Sequence, residues 1–178
     1  IQAEICNQYK PGQLTCLQLG VHKTYIRLLA AQDVARRPHL KKWLAFCLAK
    51  LCEGMPQCKK VCMLDEVQLY LYPLLMDPHP FVRGASLYAL GELFGASSAV
   101  YPIDLPTNTP LTKEQWNIRG KEVEIAMQVL ESCLDGCASV RREAVVCRGG
   151  WGGCGAGWVL GRRGSRWCHG ARRCGRGI

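Results

Sequence analysis

Cysteine is the residue type in this chain that could most readily carry out chemistry, and it occurs twelve times in 178 residues. Thiols can act as nucleophiles, bind zinc or pair as disulfides. No C-x-x-C pair occurs, and the close pairs have helical or turn spacing: Cys47/Cys52, Cys58/Cys62 and Cys133/Cys137. Most cysteines before residue 147 lie on apolar helix faces, where a thiol behaves as a small hydrophobic side chain. The sequence therefore predicts buried free thiols, with a metal or disulfide role as the alternative.

Histidines and acidic residues show no spacing typical of a catalytic or metal site. No H-E-x-x-H, zinc-finger, P-loop or G-x-S-x-G pattern occurs. His39 and His79 adjoin prolines, which favours surface turns, and Glu122 and Glu124 point to different faces of a helix. Residues 153–157 are glycine-rich but lack the third glycine of G-x-G-x-x-G and a preceding strand. The sequence therefore predicts no enzyme, no cofactor, and no catalytic, cofactor-binding or metal-ligating residue.

The net charge of +9 is unevenly distributed along the chain. Residues 147–178 contain seven arginines and no acidic residue, which leaves +2 for residues 1–146. Nucleic-acid-binding domains carry their basic excess on a folded surface, so we expect no nucleic-acid partner; binding through the arginines of the tail is the alternative. No run of 18 apolar residues occurs, so no membrane span is expected. No secretory signal precedes the first helix, which favours a cytoplasmic location.

The elements that would position these side chains are clearest around residues 77–85. An apolar run ends at Asp77, and the prolines that follow fit a turn or a first helical turn. A second apolar run continues to Phe94, and one helix face is marked at spacings of three and four by Val82, Ala85, Ala89 and Leu93. A helix, an aspartate turn and a second helix form one unit of a helical-hairpin solenoid.

The same turn recurs along the chain. Residues 135–141 repeat the Asp-to-Val-Arg spacing of residues 77–83, and residues 38–41 have the shape of 80–83 with lysine in place of arginine. The first two turns are 42 residues apart, within the range of about 40–47 for HEAT and armadillo units. The next offset is 58, and a proline-rich insertion, predicted to be a long loop at 97–118, accounts for the excess. Residues 1–146 are therefore predicted to be all-α, as a HEAT/armadillo-type helical-repeat solenoid.

Several side chains receive specific predictions from this pattern. Burial between the helical layers is expected for Val82, Ala85, Leu93, Trp43, Leu48 and Leu130. Helical register with Leu40 and Cys47 favours the core for Trp43, with ligand stacking as the alternative. Trp116 closes the predicted loop, where it either pins the loop to the solenoid or offers an aromatic anchor to a partner.

Three residues of the second unit are expected to fix its contacts with its neighbours. We expect the guanidinium of Arg83 to bind Asp77 or the acidic residue of a neighbouring turn. Gly84 and Gly91 each weaken a helix by about 1 kcal/mol relative to alanine. Close approach of a neighbouring helix is therefore the expected reason for both glycines.

Residues 147–178 differ in kind from the rest. They consist largely of Gly, Arg, Trp and Cys, which share guanine-rich codons, so the segment reads as translated non-coding or out-of-frame sequence. A genuine Gly/Arg-rich nucleic-acid-binding tail is the alternative, although regular Arg-Gly-Gly units are missing. Glycine-rich sequence loses much backbone freedom on folding. We therefore expect a disordered tail and an incomplete last hairpin with an exposed apolar face.

The repeats carry a specific resemblance. Residues 74–91 (LLMDPHPFVRGASLYALG), together with 9–13, 38–48 and 139–143, closely resemble the armadillo/HEAT region of the raptor family, the scaffold subunits of TOR complex 1. The likeness covers most of residues 1–146. The first turn departs from the pattern, since Ala-Arg-Arg-Pro stands in place of Asp-Pro-His-Pro. The family's caspase-like domain and WD40 propeller are outside this chain, which is expected to be a fragment of a longer protein.

This resemblance implies a function and partners. It implies an adaptor that holds the TOR kinase and helps recruit its substrates in nutrient and growth signalling, by protein–protein interaction in the cytoplasm. It marks no individual binding residue. The alternative is a HEAT-repeat scaffold of another complex, in transport or in phosphatase regulation.

Overall fold

The computed structural model describes residues 1–94 and 113–150, which form ten α-helices and one 3₁₀ helix. The helices are α1 Gln2–Cys6, α2 Lys10–Gln18, α3 Val21–Ala30, α4 Gln32–Ala35, α5 Pro38–Cys52, α6 Pro56–Leu64, α7 Val67–Leu71, α8 Pro80–Phe94, α9 Lys113–Ser132 and α10 Ala138–Gly150; the 3₁₀ helix is Tyr72–Met76. No strand occurs in the described ranges. The all-α solenoid predicted from the sequence is confirmed.

The centre of the solenoid is α8, which packs against α5 on one side and α10 on the other. These three helices are the second helices of three successive hairpins. The first helix of the second hairpin is α7 with its 3₁₀ continuation, and the first helix of the third hairpin is α9. The 3₁₀ helix contacts α9. On the first hairpin, α1, α2 and α3 all contact α5. The second helices therefore form one continuous layer of three, with α7 and its 3₁₀ continuation packed against α8, and α9 packed against α10.

The helices begin and end where local chemistry dictates. Proline occupies the first turn of α2, α5 and α6, a position where its missing N–H has no intrahelical partner to lose. Pro73 lies in the apolar run that precedes Asp77, and there the chain changes from α7 to a 3₁₀ helix. Gly54, which follows α5, has φ +63°, a conformation that suits glycine.

One hydrophobic core runs through all three hairpins. Its fully buried members from the stacked layer include Leu48 and Leu51 of α5, Leu87 and Leu90 of α8, and Val140 of α10. Gln13 is 1% exposed, and its side-chain Nε2 donates to the carbonyls of Lys50 (2.9 Å) and Glu53 (2.8 Å). A glutamine of α2 thereby satisfies carbonyls at the end of α5 that have no intrahelical partner.

The burial predictions hold for three of the six residues named. Val82, Leu93 and Leu48 are buried, while Ala85 and Leu130 are only partly buried. Trp43 was expected in the core, and this prediction is wrong, because its side chain is 53% exposed. The helix α5 is apolar around most of its circumference, and Leu44, Ala45 and Leu48 supply the buried face instead.

Helix α2 includes Pro11 in its first turn, and helix α6 occupies residues 56–64. One boundary differs from the prediction. Helix α9 begins at Lys113, inside the stretch 97–118 for which a loop was predicted. Residues 95–112, which include most of that predicted loop, and the tail beyond residue 150 lie outside the described residues, as does the side chain of Trp116.

Helix α10 continues to Gly150, four residues past the expected end of the repeats. Cys147, assigned to the tail from the sequence, is buried in this helix against α8. Among the residues that the structure describes, no helix is long and apolar enough to cross a membrane.

Candidate interaction surface

Ion pairs link the turns of successive hairpins. Lys41, at the start of α5, donates from Nζ to Asp77 Oδ2 at 2.7 Å, and both side chains are largely buried. Arg83, at the same position of α8, donates from Nε and Nη2 to the two carboxylate oxygens of Asp135 at 2.7 and 2.9 Å. The expectation that Arg83 binds a neighbouring acidic turn is confirmed, with Asp135 as the partner. Each hairpin therefore holds the aspartate of the next.

The two aspartates also build their own turns in the same way. Asp77 Oδ1 accepts the backbone N–H of His79 at 2.9 Å, and Asp135 Oδ1 accepts that of Cys137 at 2.8 Å. The arginine that follows then closes each turn. Arg83 Nη1 donates to the carbonyls of residues 77 and 78, and Arg141 Nη1 donates to those of residues 135 and 136. The repeated sequence pattern thus corresponds to a repeated hydrogen-bond pattern.

These contacts favour the ionised form of both carboxylates. Burial alone would raise the pKa of Asp77, but hydrogen bonds from Lys41 and from the N–H and ring of His79 outweigh it and lower that pKa. The pKa of Asp135 is lowered chiefly by the hydrogen bond from Arg83, and the N–H of Cys137 adds to the effect. Both turns therefore carry a fixed negative charge matched by a cation from the preceding hairpin.

The exposed side of the stacked layer carries a group of aromatic rings from α5 and α8. We call His39, Trp43, Phe46, Phe81 and Tyr88 the aromatic surface. His39 stacks on Phe81 with ring centroids 5.0 Å apart, and the rings of Trp43 and Phe46 meet edge to face at 5.7 Å. Phe46 and Tyr88 lie 5.9 Å apart. The rings thus form a connected group that spans the contact between α5 and α8, which is the first junction of the solenoid.

Two lysines of α5 lie over these rings. Lys42 Nζ is 4.6 Å from the centroid of Trp43 and 5.9 Å from that of Phe81. Lys50 Nζ lies 5.7 and 5.8 Å from the rings of Phe46 and Tyr88. Lys50 also binds Glu53 Oε2 at 2.7 Å, a contact that raises its pKa. Cations within about 6 Å of a ring face are attracted by its quadrupole.

Sequence reasoning did not find the aromatic surface. The available signal was the register: His39, Trp43, Phe46 and Lys50 of α5 are spaced four, three and four apart. Phe81, Ala85, Tyr88 and Glu92 of α8 have the same spacing, 42 positions later. Two helices with rings at matched positions place those rings side by side once the helices stack. His39 was expected in a turn, but it lies within the first turn of α5.

The cysteines behave as hydrophobic side chains. All nine within the described ranges are free thiols, and six of them are buried. Burial raises the pKa of Cys6, Cys58 and Cys147 to about 12, which keeps these thiols protonated and unreactive at neutral pH. Within 1–94 and 113–150, no three His, Cys, Asp or Glu side chains converge as metal ligands would. The prediction of buried free thiols is confirmed for these six residues.

The glycines of α8 have different surroundings. A methyl group at Gly91 would lie 3.2 Å from Cα of Cys147, so this glycine permits close contact between α8 and α10, as expected. At Gly84 the nearest atom would be Cγ of Glu143 at 4.0 Å, so close approach does not explain this position. The two ends of α8 are therefore packed to different degrees against α10.

Comparisons with known proteins agree with this geometry. The HEAT repeat family model matches residues 70–95, which correspond to the second hairpin. The chain is 27% identical to "Regulatory-associated protein of TOR 2" of Oryza sativa subsp. japonica over 149 residues, covering 82% of this chain and 11% of that protein. It is 31% identical to "Protein raptor homolog" of Dictyostelium discoideum over 97 residues, covering 54% of this chain and 6% of the relative.

A solved structure shows the same fold. The crystal structure of Chaetomium thermophilum Raptor matches with a TM-score of 0.64 and 24% identity, covering 83% of this chain and 12% of that one. The chain thus spans about a tenth or less of the length of the relatives that it matches. The repeated aspartate turns, the HEAT match and the likeness to raptor proteins from plants and an amoeba support a HEAT-repeat region of the raptor family.

Proposed function

We propose that this chain is a segment of a scaffold subunit of TOR complex 1, and that it helps to hold the TOR kinase and to recruit its substrates. The likeness to proteins named for their association with TOR supports the assignment. A scaffold acts by presenting a fixed surface to its partners, and we expect this one to do so in the cytoplasm and without catalysis. We expect the partners to be proteins and not nucleic acids.

The observation that carries this proposal is the chain of ion pairs between hairpins. Lys41 binds Asp77, and Arg83 binds Asp135 through two oxygens, so the three second helices are tied together at their turns. Such contacts fix the relative positions of successive hairpins and hold the exposed side of the layer in one shape. A preformed surface loses little conformational entropy on binding.

Affinity capture would test the proposal. The whole chain, residues 1–146, and a fragment extended with a following repeat of the longer protein would each be immobilised and exposed to purified TOR kinase. We expect TOR kinase to be retained by all three, most strongly by the extended fragment, whose end hairpin would no longer be open. A phosphatase catalytic subunit and a transport receptor serve as comparison proteins. Retention of either in preference to TOR kinase would favour a HEAT scaffold of another complex.

The tail provides a second readout in the same experiment. If the whole chain retained TOR kinase more strongly than residues 1–146, residues 147–178 would be a working part of the protein. The interpretation of the tail as translated non-coding sequence would then be wrong.

A further inference from the structure

A basic residue stands at the same position in each of the three stacked helices, and the third of these residues lacks a carboxylate. Lys41 of α5 and Arg83 of α8 each donate to the aspartate of the following hairpin. Arg141 of α10 makes the same bonds to the carbonyls of its own turn as Arg83 does. Among the described residues, however, Arg141 forms no ion pair, and its side chain is exposed. The nitrogens with which Arg83 binds Asp135 therefore remain open to a carboxylate on Arg141.

An apolar position on the same side of these helices differs in the same way. Ala45, Leu87 and Val145 each lie four residues after the basic position, which places them on the same helix face. Ala45 and Leu87 are 0% exposed, whereas Val145 is 59% exposed. Helices α5 and α8 each have the second helix of a following hairpin packed against them. The position is therefore buried where a hairpin follows, and it is exposed on α10, where the described residues supply none.

The outer side of the third hairpin does not have the character of a solenoid end. The last repeat of a solenoid usually presents a polar outer face, because no neighbour covers it. Here Val145 and Val146 of α10 are each more than half exposed, and Met127 of α9 is 48% exposed. Exposed apolar side chains on both helices are typical of an inner repeat that lacks its neighbour.

A second copy of this chain does not fit this face. Its two turn aspartates, Asp77 and Asp135, are already bound to basic residues of their own chain. The turn before α5, which would meet α10 if copies stacked end to end, reads Ala-Arg-Arg-Pro at residues 35–38 and contains no aspartate. Stacking would thus bring arginines towards Arg141, and like charges repel. The charge therefore favours a hairpin of different sequence.

We propose that the outer face of α10, centred on Arg141 and Val145, docks a further helical hairpin whose turn carries an aspartate. The aspartate would accept from Arg141 as Asp135 accepts from Arg83, and the second helix of that hairpin would cover Val145. The aligned region is only 11% of the length of the two plant relatives, so a longer protein has enough chain to supply such a hairpin. The inference concerns how the solenoid is assembled and does not depend on the proposed association with TOR.

Thiol labelling would test whether the face is covered. Val145→Cys would be made in the whole chain and in the fragment extended with the following repeat of the longer protein. The control is Tyr70→Cys, at an exposed tyrosine of α7. Labelling by iodoacetamide is followed for each peptide by mass spectrometry, and circular dichroism establishes that each variant is folded. We expect Val145→Cys to react at least about tenfold more slowly in the extended fragment, because burial protects a thiol, and Tyr70→Cys to react equally in both.

Urea denaturation of the same two proteins would test the role of Arg141. We expect Arg141→Met to change the equilibrium constant of unfolding by no more than about twofold in the whole chain and by at least about tenfold in the extended fragment. The control is Arg142→Met, at the neighbouring exposed arginine, which should have the same small effect in both. Replacing the turn aspartate of the added hairpin by Asn should remove most of the Arg141 effect, since the two groups form one pair.

Equal labelling of Val145→Cys in the two proteins, or an equal effect of Arg141→Met in both, would overturn the inference. Sedimentation equilibrium of the whole chain examines the other occupant. A dimer that Val145→Asp converts to a monomer would assign the face to a second copy, and this too would overturn the inference. None of these measurements includes TOR kinase, so failure of the proposed scaffold function would leave their outcome unchanged.

Discussion

The two junctions of the solenoid use the same positions with different residues. At the α5–α8 junction, Lys41 makes one hydrogen bond to Asp77, whose side chain is 3% exposed. At the α8–α10 junction, Arg83 makes two hydrogen bonds to Asp135, whose side chain is 12% exposed. Lysine supplies a point charge, whereas the planar guanidinium matches both oxygens of a carboxylate. The first junction thus relies on burial of the pair and the second on its geometry.

The packing between helices also differs between the two junctions. Gly91 of α8 allows Cys147 of α10 to approach closely, whereas the equivalent position of α5 is Ala49, which is fully buried. The rings of the aromatic surface lie over the first junction and have no aromatic counterpart at the described positions of α10, where Ser139 and Val146 occupy the matching register. One repeat pattern therefore accommodates a closely packed junction and a junction that bears the aromatic surface.

The largest effect on stability is expected from a larger side chain at Gly91, where α8 lies close to α10. Gly91→Leu would force a side chain against the backbone of Cys147, which cannot move away without shifting α10. Overpacking of this kind should lower the free energy of unfolding by about 3 kcal/mol, as measured by urea denaturation followed by circular dichroism. The matched control is Gly84→Ala, which has room for its methyl group and should raise the free energy of unfolding by up to about 1 kcal/mol. Equal destabilisation by both variants would mean that α8 is equally tight along its length.

The next largest effect should distinguish the contribution of Arg83 from that of Lys41. Arg83→Met removes two hydrogen bonds to Asp135 and two to backbone carbonyls, and we expect a loss of about 2 kcal/mol. Lys41→Met removes one bond and leaves Asp77 bound to His79, so the expected loss is about 1 kcal/mol. Double-mutant cycles with Asp135→Asn and Asp77→Asn would isolate each pair. The reverse order would show that burial of Asp77 matters more than the number of bonds.

The same Arg83 variant also tests the structural role assigned to this residue. If Arg83→Met or Arg83→Ala left stability unchanged but abolished retention of TOR kinase, Arg83 would belong to the binding surface. The ladder of ion pairs between hairpins, formed by Lys41–Asp77 and Arg83–Asp135, would then not be what holds the hairpins together.

A smaller effect should appear as a pH dependence. The pKa values of Asp77 and Asp135 are lowered from the ordinary value of 3.8. Their contribution to stability is therefore fully present above about pH 4 and is lost as the pH falls through the lowered values. We expect the free energy of unfolding to fall below pH 4, as measured by urea titrations at successive pH values. The fall should be shallower for Arg83→Met, which removes the main cause at Asp135, and unchanged for the exposed-site control Lys60→Met.

The sequence predicted the repeated turns and an acidic partner for Arg83, because these residues recur at fixed spacing; it did not predict the pairing of Lys41 with Asp77. The Asp-to-Val-Arg pattern of residues 77–83 and 135–141 defined both turns, and lysine at position 41 could be placed by alignment alone. Geometry of this kind is local and repeats with the chain. The partner of Arg83 was left between two aspartates, since the choice depends on how α8 and α10 stack.

The burial prediction failed for Trp43, because the apolar pattern of α5 is compatible with more than one buried face. In α5, residues of both the buried face and the aromatic surface are apolar, so the register of Trp43 with Leu40 and Cys47 did not identify the inward face. The stacking of α5 on α8 decides it, and stacking is a tertiary contact that α5 alone cannot specify. The start of helix α9 at Lys113 follows from its composition: Lys, Glu and Gln, which come after the last proline, Pro110, all favour a helix.

The smallest expected effect lies at the third position of the ladder, Arg141. Its Nη1 donates to the carbonyls of residues 135 and 136 at 2.7 and 3.1 Å, matching the carbonyl contacts of Arg83 at 2.8 and 3.1 Å. Unlike Arg83, it forms no salt bridge with a carboxylate of the described residues, and its side chain is exposed. Arg141→Met should therefore change the free energy of unfolding by less than about 0.5 kcal/mol.

This variant is the matched control for Arg83→Met, because the two arginines share the same carbonyl bonds and differ in the carboxylate. Subtracting the Arg141 effect from the Arg83 effect gives the part that depends on Asp135. If the two variants were equally destabilising in urea denaturation, the carbonyl bonds within each turn would hold the solenoid together, and the ion pairs between hairpins would add little. A large difference would instead assign the strength of the α8–α10 junction to one bidentate pair.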